Sequence, residues 1–260
     1  MKYKKVRAGT GAATIVTSLV VASSAAALTI IGTDGDDQIV GSRDNDRISA
    51  KAGNDTVRAL GGNDTVRAGD GDDRVGAGPG RDVVKGDIGN DELHGFEGHD
   101  YLVGGDGDDK LRGGDEGDGI KAGDGSDGVG GGEGGDRVAA GSGDDGVRGG
   151  DGSDTIFAQR GVDRIAGHDG DDNLWALAQA DVPVEGVDRV DGGDGGDSIH
   201  TRDGEADEVT CGDGTDTALL DELDVITDAT EENPNGSCED VQRAAPEPDD
   251  DDEEEDPVVE

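Results

Sequence analysis

The chain has 260 residues, a formal net charge of −42 at neutral pH, 30% hydrophobic and 2% aromatic residues, and 50 glycines. That composition excludes a thick apolar core, so something besides hydrophobic burial has to help the chain fold. A field of that sign repels phosphate, which excludes nucleic acid and anionic membrane as partners and leaves cations as the natural counterpart.

At the N-terminus a basic patch (Lys2, Lys4, Lys5 and Arg7) runs into a small and apolar stretch, Ala12 to Ala22, and then into "ASSAAA" ending at Ala27. This is the three-part layout of a cleaved secretory signal, so residues 1–27 are expected to be a signal peptide and the mature protein to be secreted. The apolar stretch is too short, and too interrupted by Thr and Ser, to span a bilayer of about 30 Å.

From Gly32 to Trp175 a period of nine runs without a slip through sixteen units. Position six is always aspartate: Asp37, Asp46, Asp55, Asp64, Asp73, Asp82, Asp91, Asp100, Asp109, Asp118, Asp127, Asp136, Asp145, Asp154, Asp163 and Asp172. Position eight is always Ile, Val or Leu, from Ile39 and Ile48 through Leu102 and Leu111 to Leu174. Position one is always Gly or Ala, and position four is Gly except at Asp44 and Glu116.

Glycines this frequent exclude a helix, each costing about 1 kcal/mol relative to Ala, and nine does not match a helical face. The spacing predicts a six-residue turn followed by a minimal three-residue strand whose middle side chain points inward, stacked unit on unit into a solenoid. The internal core would rest on position eight alone.

Units such as "GGDGDDKLR" (104–112) and "GGDGSDTIF" (149–157) resemble the nonapeptide G-G-x-G-x-D-x-U-x of the hemolysin-type (RTX) calcium-binding repeats. The resemblance implies an all-β fold, a right-handed parallel β-roll or β-helix solenoid in which two units make one eighteen-residue coil, stabilised by multiple calcium ions in the turns. It further implies that each ion lies between turns one coil apart, with Asp109 sharing ions with Asp91 and Asp127, and that the position-six aspartates are the metal ligands. The chemistry fits the residue types: calcium takes six to eight hard oxygen donors, and a glycine-rich turn offers carbonyls beside a carboxylate.

Asp as a mere turn former would admit Asn or Ser at position six, and neither occurs there. The units 41–49, with Arg43 and Asp44, and 158–166, with Gln159, Arg160 and Val162, depart most from the pattern and are expected to bind weakly or not at all. An EF-hand is rejected, because no Glu recurs at the twelfth position and no helices flank the acidic runs.

After Trp175 the period is lost through Val190, which reads as a bulge or short helix. A unit returns as "GGDGGDSIH" (192–200), adding Asp197 as a ligand, and weaker echoes follow at Asp207, Asp216 and Asp224. Cys211 and Cys238 are the only cysteines, and in an exported chain they are expected to form a disulfide. The organisation is thus a signal peptide (1–27), a sixteen-unit roll (28–175), irregular repeats with a disulfide-closed end cap (176–241) and a disordered acidic tail (242–260).

No H-E-x-x-H, no G-x-S-x-G and no free-standing catalytic cysteine is present, and repeats fill the mature chain, so no enzyme is expected. The expected function is calcium binding by a secreted, non-enzymatic roll. The alternative is a calcium-dependent solenoid that adheres to a cell surface or matrix, with ice binding a weaker version of the same idea.

Overall fold

The structure is a computed structural model describing residues 5–7, 27–176, 186–230 and 233–245. Most of the expected signal peptide, residues 177–185 of the expected bulge or short helix, and the acidic run after Ala245 lie outside the described residues.

Every described element is a short strand, and all pairings are parallel. Thirteen strands form one sheet and eleven the other, and the chain alternates between the two, so each coil contributes one strand to each sheet. Strand Lys110–Asp115 of the eleven-stranded sheet, for example, lies between Glu92–Glu97 and Gly128–Glu133 with Leu111 paired to Leu93 and Val129. The eighteen-residue step between paired positions is the coil that two nonapeptides make. Three residues inside the expected signal, Lys5–Arg7, pair with Thr29–Ile31 at one end of the thirteen-stranded sheet.

The strands are longer than the spacing predicts. In the regular part most run six residues, as in Tyr101–Asp106, which covers positions seven to nine of one unit and one to three of the next. The turn is therefore only positions four to six. Backbone pairing persists through position two because the chain there takes a left-handed conformation, +128° at Gly105, and it turns sharply at Gly107, +127°. A Cβ on Gly107 would overlap the carbonyl of Gly89 in the preceding coil, so coil stacking itself requires the bare backbone at that position.

The core is a double file of position-eight side chains, with Leu93, Leu102, Leu111, Ile120 and Ile156 all fully buried, joined by the position-one alanines such as Ala122 and Ala140. One branched aliphatic per nine residues makes a thin core, as the composition required.

Past residue 176 the same two sheets continue. The period resumes earlier than the sequence suggested: Arg189–Gly195 pairs with Arg164–Asp169, placing Val190 opposite Ile165. The step there is 25 residues, and Asp188, two places before Val190, takes the position-six place that the glycine pattern had hidden. Beside this insertion Phe157, Trp175 and His200 stack on successive strands of the thirteen-stranded sheet, with Trp175 and His200 centroids 3.6 Å apart. The far end is closed by the disulfide Cys211–Cys238, both cysteines being buried.

Candidate metal centre

The position-six aspartates form two columns, one along each edge where the chain passes between sheets. Asp37, Asp55, Asp73, Asp91, Asp109, Asp127, Asp145 and Asp163 stand in one, and Asp46, Asp64, Asp82, Asp100, Asp118, Asp136, Asp154 and Asp172 in the other. All are at most 4% exposed.

From Asp55 and Asp64 onward each carboxylate does one visible job. Its Oδ1 accepts the backbone N–H of the aspartate one coil earlier: Asp91 donates to Asp109 at 2.7 Å, and Asp109 to Asp127 at 2.8 Å. The columns pass through the insertion unbroken, Asp163 donating to Asp188 at 2.8 Å and Asp172 to Asp197 at 2.9 Å. They continue to Asp207 and Asp216, so Asp188 joins the candidate set and the weaker echoes at Asp207 and Asp216 take their places in it.

The second oxygen is left over. Oδ2 is buried without a hydrogen-bond partner in all fourteen column aspartates from Asp55 to Asp172, and in Asp197, Asp207 and Asp216. A buried carboxylate oxygen without a donor costs free energy, and a file of them is untenable in an ordinary core. Burial pushes the carboxyl of Asp109 up to about 7, those of Asp136 and Asp145 to about 8, and that of Asp207 to about 9. Loss of hydration is the first cause in each case, and repulsion from neighbouring carboxylates ranks behind it.

The orphan oxygens face a glycine cradle. A Cβ on Gly104 would overlap both Asp109 Oδ2 and the carbonyl oxygen of Ala122, and one on Gly113 both Asp118 Oδ2 and the carbonyl of Gly131. Position one is thus kept small beside a space lined by a carboxylate oxygen and a carbonyl oxygen of the adjacent coil. Among the described residues no three His, Cys, Asp or Glu side chains converge in the manner of a side-chain metal cluster. A cation held here would draw on one carboxylate and on backbone carbonyls, the hard-oxygen donor set that suits calcium and not zinc.

The N-terminal ends of the two columns differ. Asp46 accepts from the N–H of Leu28 and Ser42 and from the Ser42 hydroxyl, whereas Asp37 Oδ2 accepts from Thr33 and its Oδ1 is buried without a partner. The unit 41–49, expected to be weak, therefore has its carboxylate already engaged. At the other expected weak unit, 158–166, the departures at Gln159 and Val162 leave Asp163 buried with its orphan oxygen intact. At the C-terminal end Asp224 accepts from Asp207 and Asp221 N–H and the Thr201 hydroxyl, and Glu239 takes the Asp216 N–H.

Position five has a separate role, in an outer ladder. Asp108 Oδ1 accepts the N–H of Ser126 at 2.9 Å, as Asn90 does for Asp108 at 2.8 Å, so this outer ladder runs in the opposite sense to the buried one.

No curated protein matches the chain. A family model described as the RTX calcium-binding nonapeptide repeat (4 copies) matches at residues 29–57, 49–84, 58–93, 76–111, 94–129, 130–165 and 148–183, more than half of the sequence. With its eighteen-residue coils, aspartate columns and glycine cradles, the chain belongs to the RTX calcium-binding nonapeptide repeat family.

Proposed function

We propose that this chain is an exported, non-enzymatic calcium-binding roll in which many ions bind along the two aspartate columns and drive the folding of the coils. The observation that carries the reading is the file of buried carboxylates, each with one oxygen hydrogen-bonded and the other without a donor. When bound, calcium supplies the positive charge and hard acceptor of oxygen lone pairs that these groups lack. Asp37 and Asp55 through Asp172, with Asp188, Asp197, Asp207 and Asp216, would hold the ions together with backbone carbonyls of adjacent coils, while Asp46 serves as a protein-satisfied end. Export rests on the N-terminal layout and on the disulfide.

Because the columns exist only when coils stack, ligand binding free energy becomes folding free energy. Circular dichroism with calcium and with chelator, at pH 8, tests this: a β-rich spectrum is expected only with calcium, and a chelated chain that is already fully folded would refute it. Calorimetric titration is expected to give a stoichiometry near ten or above; one or two ions per chain would refute the column reading.

A further inference from the structure

The outer face of the eleven-stranded sheet carries charge in an arrangement that the calcium columns do not use. Along one margin, at strand positions seven and nine, stand Arg58, Arg74, Lys110, Arg112, Arg148, Arg164 and Arg189, all exposed. Along the other, at position three, stand Glu97, Asp115, Glu133, Asp151, Asp169, Asp194 and Asp213, also exposed and in register on seven consecutive strands. The two margins border one open groove at the early strands, with Arg58 and Arg74 on one side and Glu97 and Asp115 on the other.

These charges do not neutralise each other within the chain. None of the seven carboxylates has an ion-pair partner among the described residues, and neither do Arg58, Lys110, Arg112, Arg148 or Arg164. Positions nine and three of one strand are about 10 Å apart, which holds the margins out of each other's reach. The face also bears exposed apolar side chains, Leu60, Phe96 and Val225, and a bare stretch where Gly128, Gly130 and Gly146 present no side chain.

We propose that this face binds a second copy of the chain, face to face, with the two rolls parallel and related by a two-fold axis along the roll. Rotation about that axis exchanges the margins, so on the four strands that carry both charges, Lys110–Asp115, Gly146–Asp151, Arg164–Asp169 and Arg189–Gly195, the cations of each copy meet the acid of the other. Lys110 and Arg112 then meet Asp115 of the other copy, Arg148 meets Asp151, Arg164 meets Asp169 and Arg189 meets Asp194. Glu92, Asp191 and Glu208 break the cationic margin; Glu92 and Glu208 are compensated within their own copy by Arg74 at 3.3 Å and Arg189 at 2.7 Å, while Asp191 has no ion pair among the described residues. The antiparallel alternative, with its axis along the strands, sets like charge against like and is disfavoured. A closed two-fold interface uses the same patch twice, which a bipolar face satisfies. Seven strands of six residues cover roughly 600 Å² per copy and roughly 1,200 Å² in all, the lower end of stable interfaces. The thirteen-stranded face is less suited, because Ile88, Ser142 and Arg160 interrupt its position-three acids.

The inference rests on the calcium-folded roll, and the experiment separates the two. The full chain is first shown folded in calcium by circular dichroism, then sized by sedimentation equilibrium at low and at 1 M salt. The expected result is twice the chain mass of 26.2 kDa at low salt, with dissociation at high salt. The variant R148E/R164E and the variant D151K/D169K are each expected to be folded monomers, their dimer Kd raised on the order of 100-fold or more. Mixed one to one, they are expected to restore a dimer, because reversed margins meet each other and the native margins meet across the other half. A folded wild-type chain that stays monomeric, association unaffected by either variant, open-ended polymers, or failure of the mixture to associate would each overturn the proposal. A chain that does not fold in calcium would instead overturn the proposed function.

Discussion

Replacing Asp109 by Asn is expected to move stability in opposite directions with and without calcium. The amide retains an oxygen for the Asp91 N–H and removes a carboxylate that burial pushes up to about 7. Because the folded value lies above the ordinary 3.8, the group's full contribution to stability is present below about 3.8 and is lost as pH rises through about 7. At pH 8 the ionised side chain therefore costs at most about 4 kcal/mol, from 7 against 3.8 at about 1.36 kcal/mol per pH unit. The new amide N–H group has no acceptor at the orphan position and gives back about 1–3 kcal/mol, leaving a net gain of about 1–3 kcal/mol in chelator. In calcium the same change deletes a charged ligand. The assay is circular dichroism at pH 8: a trimethylamine oxide titration of the chelated chain, which strengthens burial, and a calcium titration. The osmolyte midpoint should fall and the calcium midpoint should rise. Midpoints that both move toward lower stability, or neither moving, would refute the assignment of the orphan oxygen to the cation.

Three further outcomes rest on the same geometry. In chelator, structure absent at pH 8 should return as pH falls from about 8 toward 5, since the column carboxyls raised to about 6–8 take up protons on folding; circular dichroism reads this, and the calcium midpoint should rise over the same interval. Gly107→Ala, which combines a φ of +127° with overlap of the Gly89 carbonyl, should lower the thermal midpoint in calcium by far more than Gly130→Ala, where the added methyl meets nothing within 4 Å. Replacing both Cys211 and Cys238 by Ala should cost about 3.5 kcal/mol on the loop-entropy estimate for a separation of 27 residues, seen as a lower denaturant midpoint in calcium.

Periodicity alone made the columns and the core file legible, because Asp at position six and a branched aliphatic at position eight never vary through sixteen units. Three things were not legible. The strands extend through position three because a left-handed position two keeps pairing alive, and residues such as Phe96 and Asp87 take that conformation as glycine does, so composition gives no sign of it. Asp188 was missed because a longer step carries it and "PVEGVDRVD" (183–191) has one glycine; only the Asp-x-Val spacing marked it. The division of labour between the two carboxylate oxygens depends on a donor eighteen residues away, which no local motif encodes. That Asp108 supports an outer ladder instead of lining the cradle follows from the same stacking.

The insertion before Val187 bears on how such a chain can change length. Both columns cross a 25-residue step with hydrogen bonds as short as those across eighteen, so the number of residues in a coil can grow without breaking either column. Removing residues is governed by arithmetic of a different kind. Losing eighteen takes out one whole coil and leaves every later strand on its own sheet. Losing nine would transpose everything downstream, moving each strand to the opposite sheet and each aspartate to the opposite column, and would carry the Cys211–Cys238 closure to the wrong side of the stack. The roll is thus a molecule whose length is editable in double units and whose coils can take added residues with both columns intact.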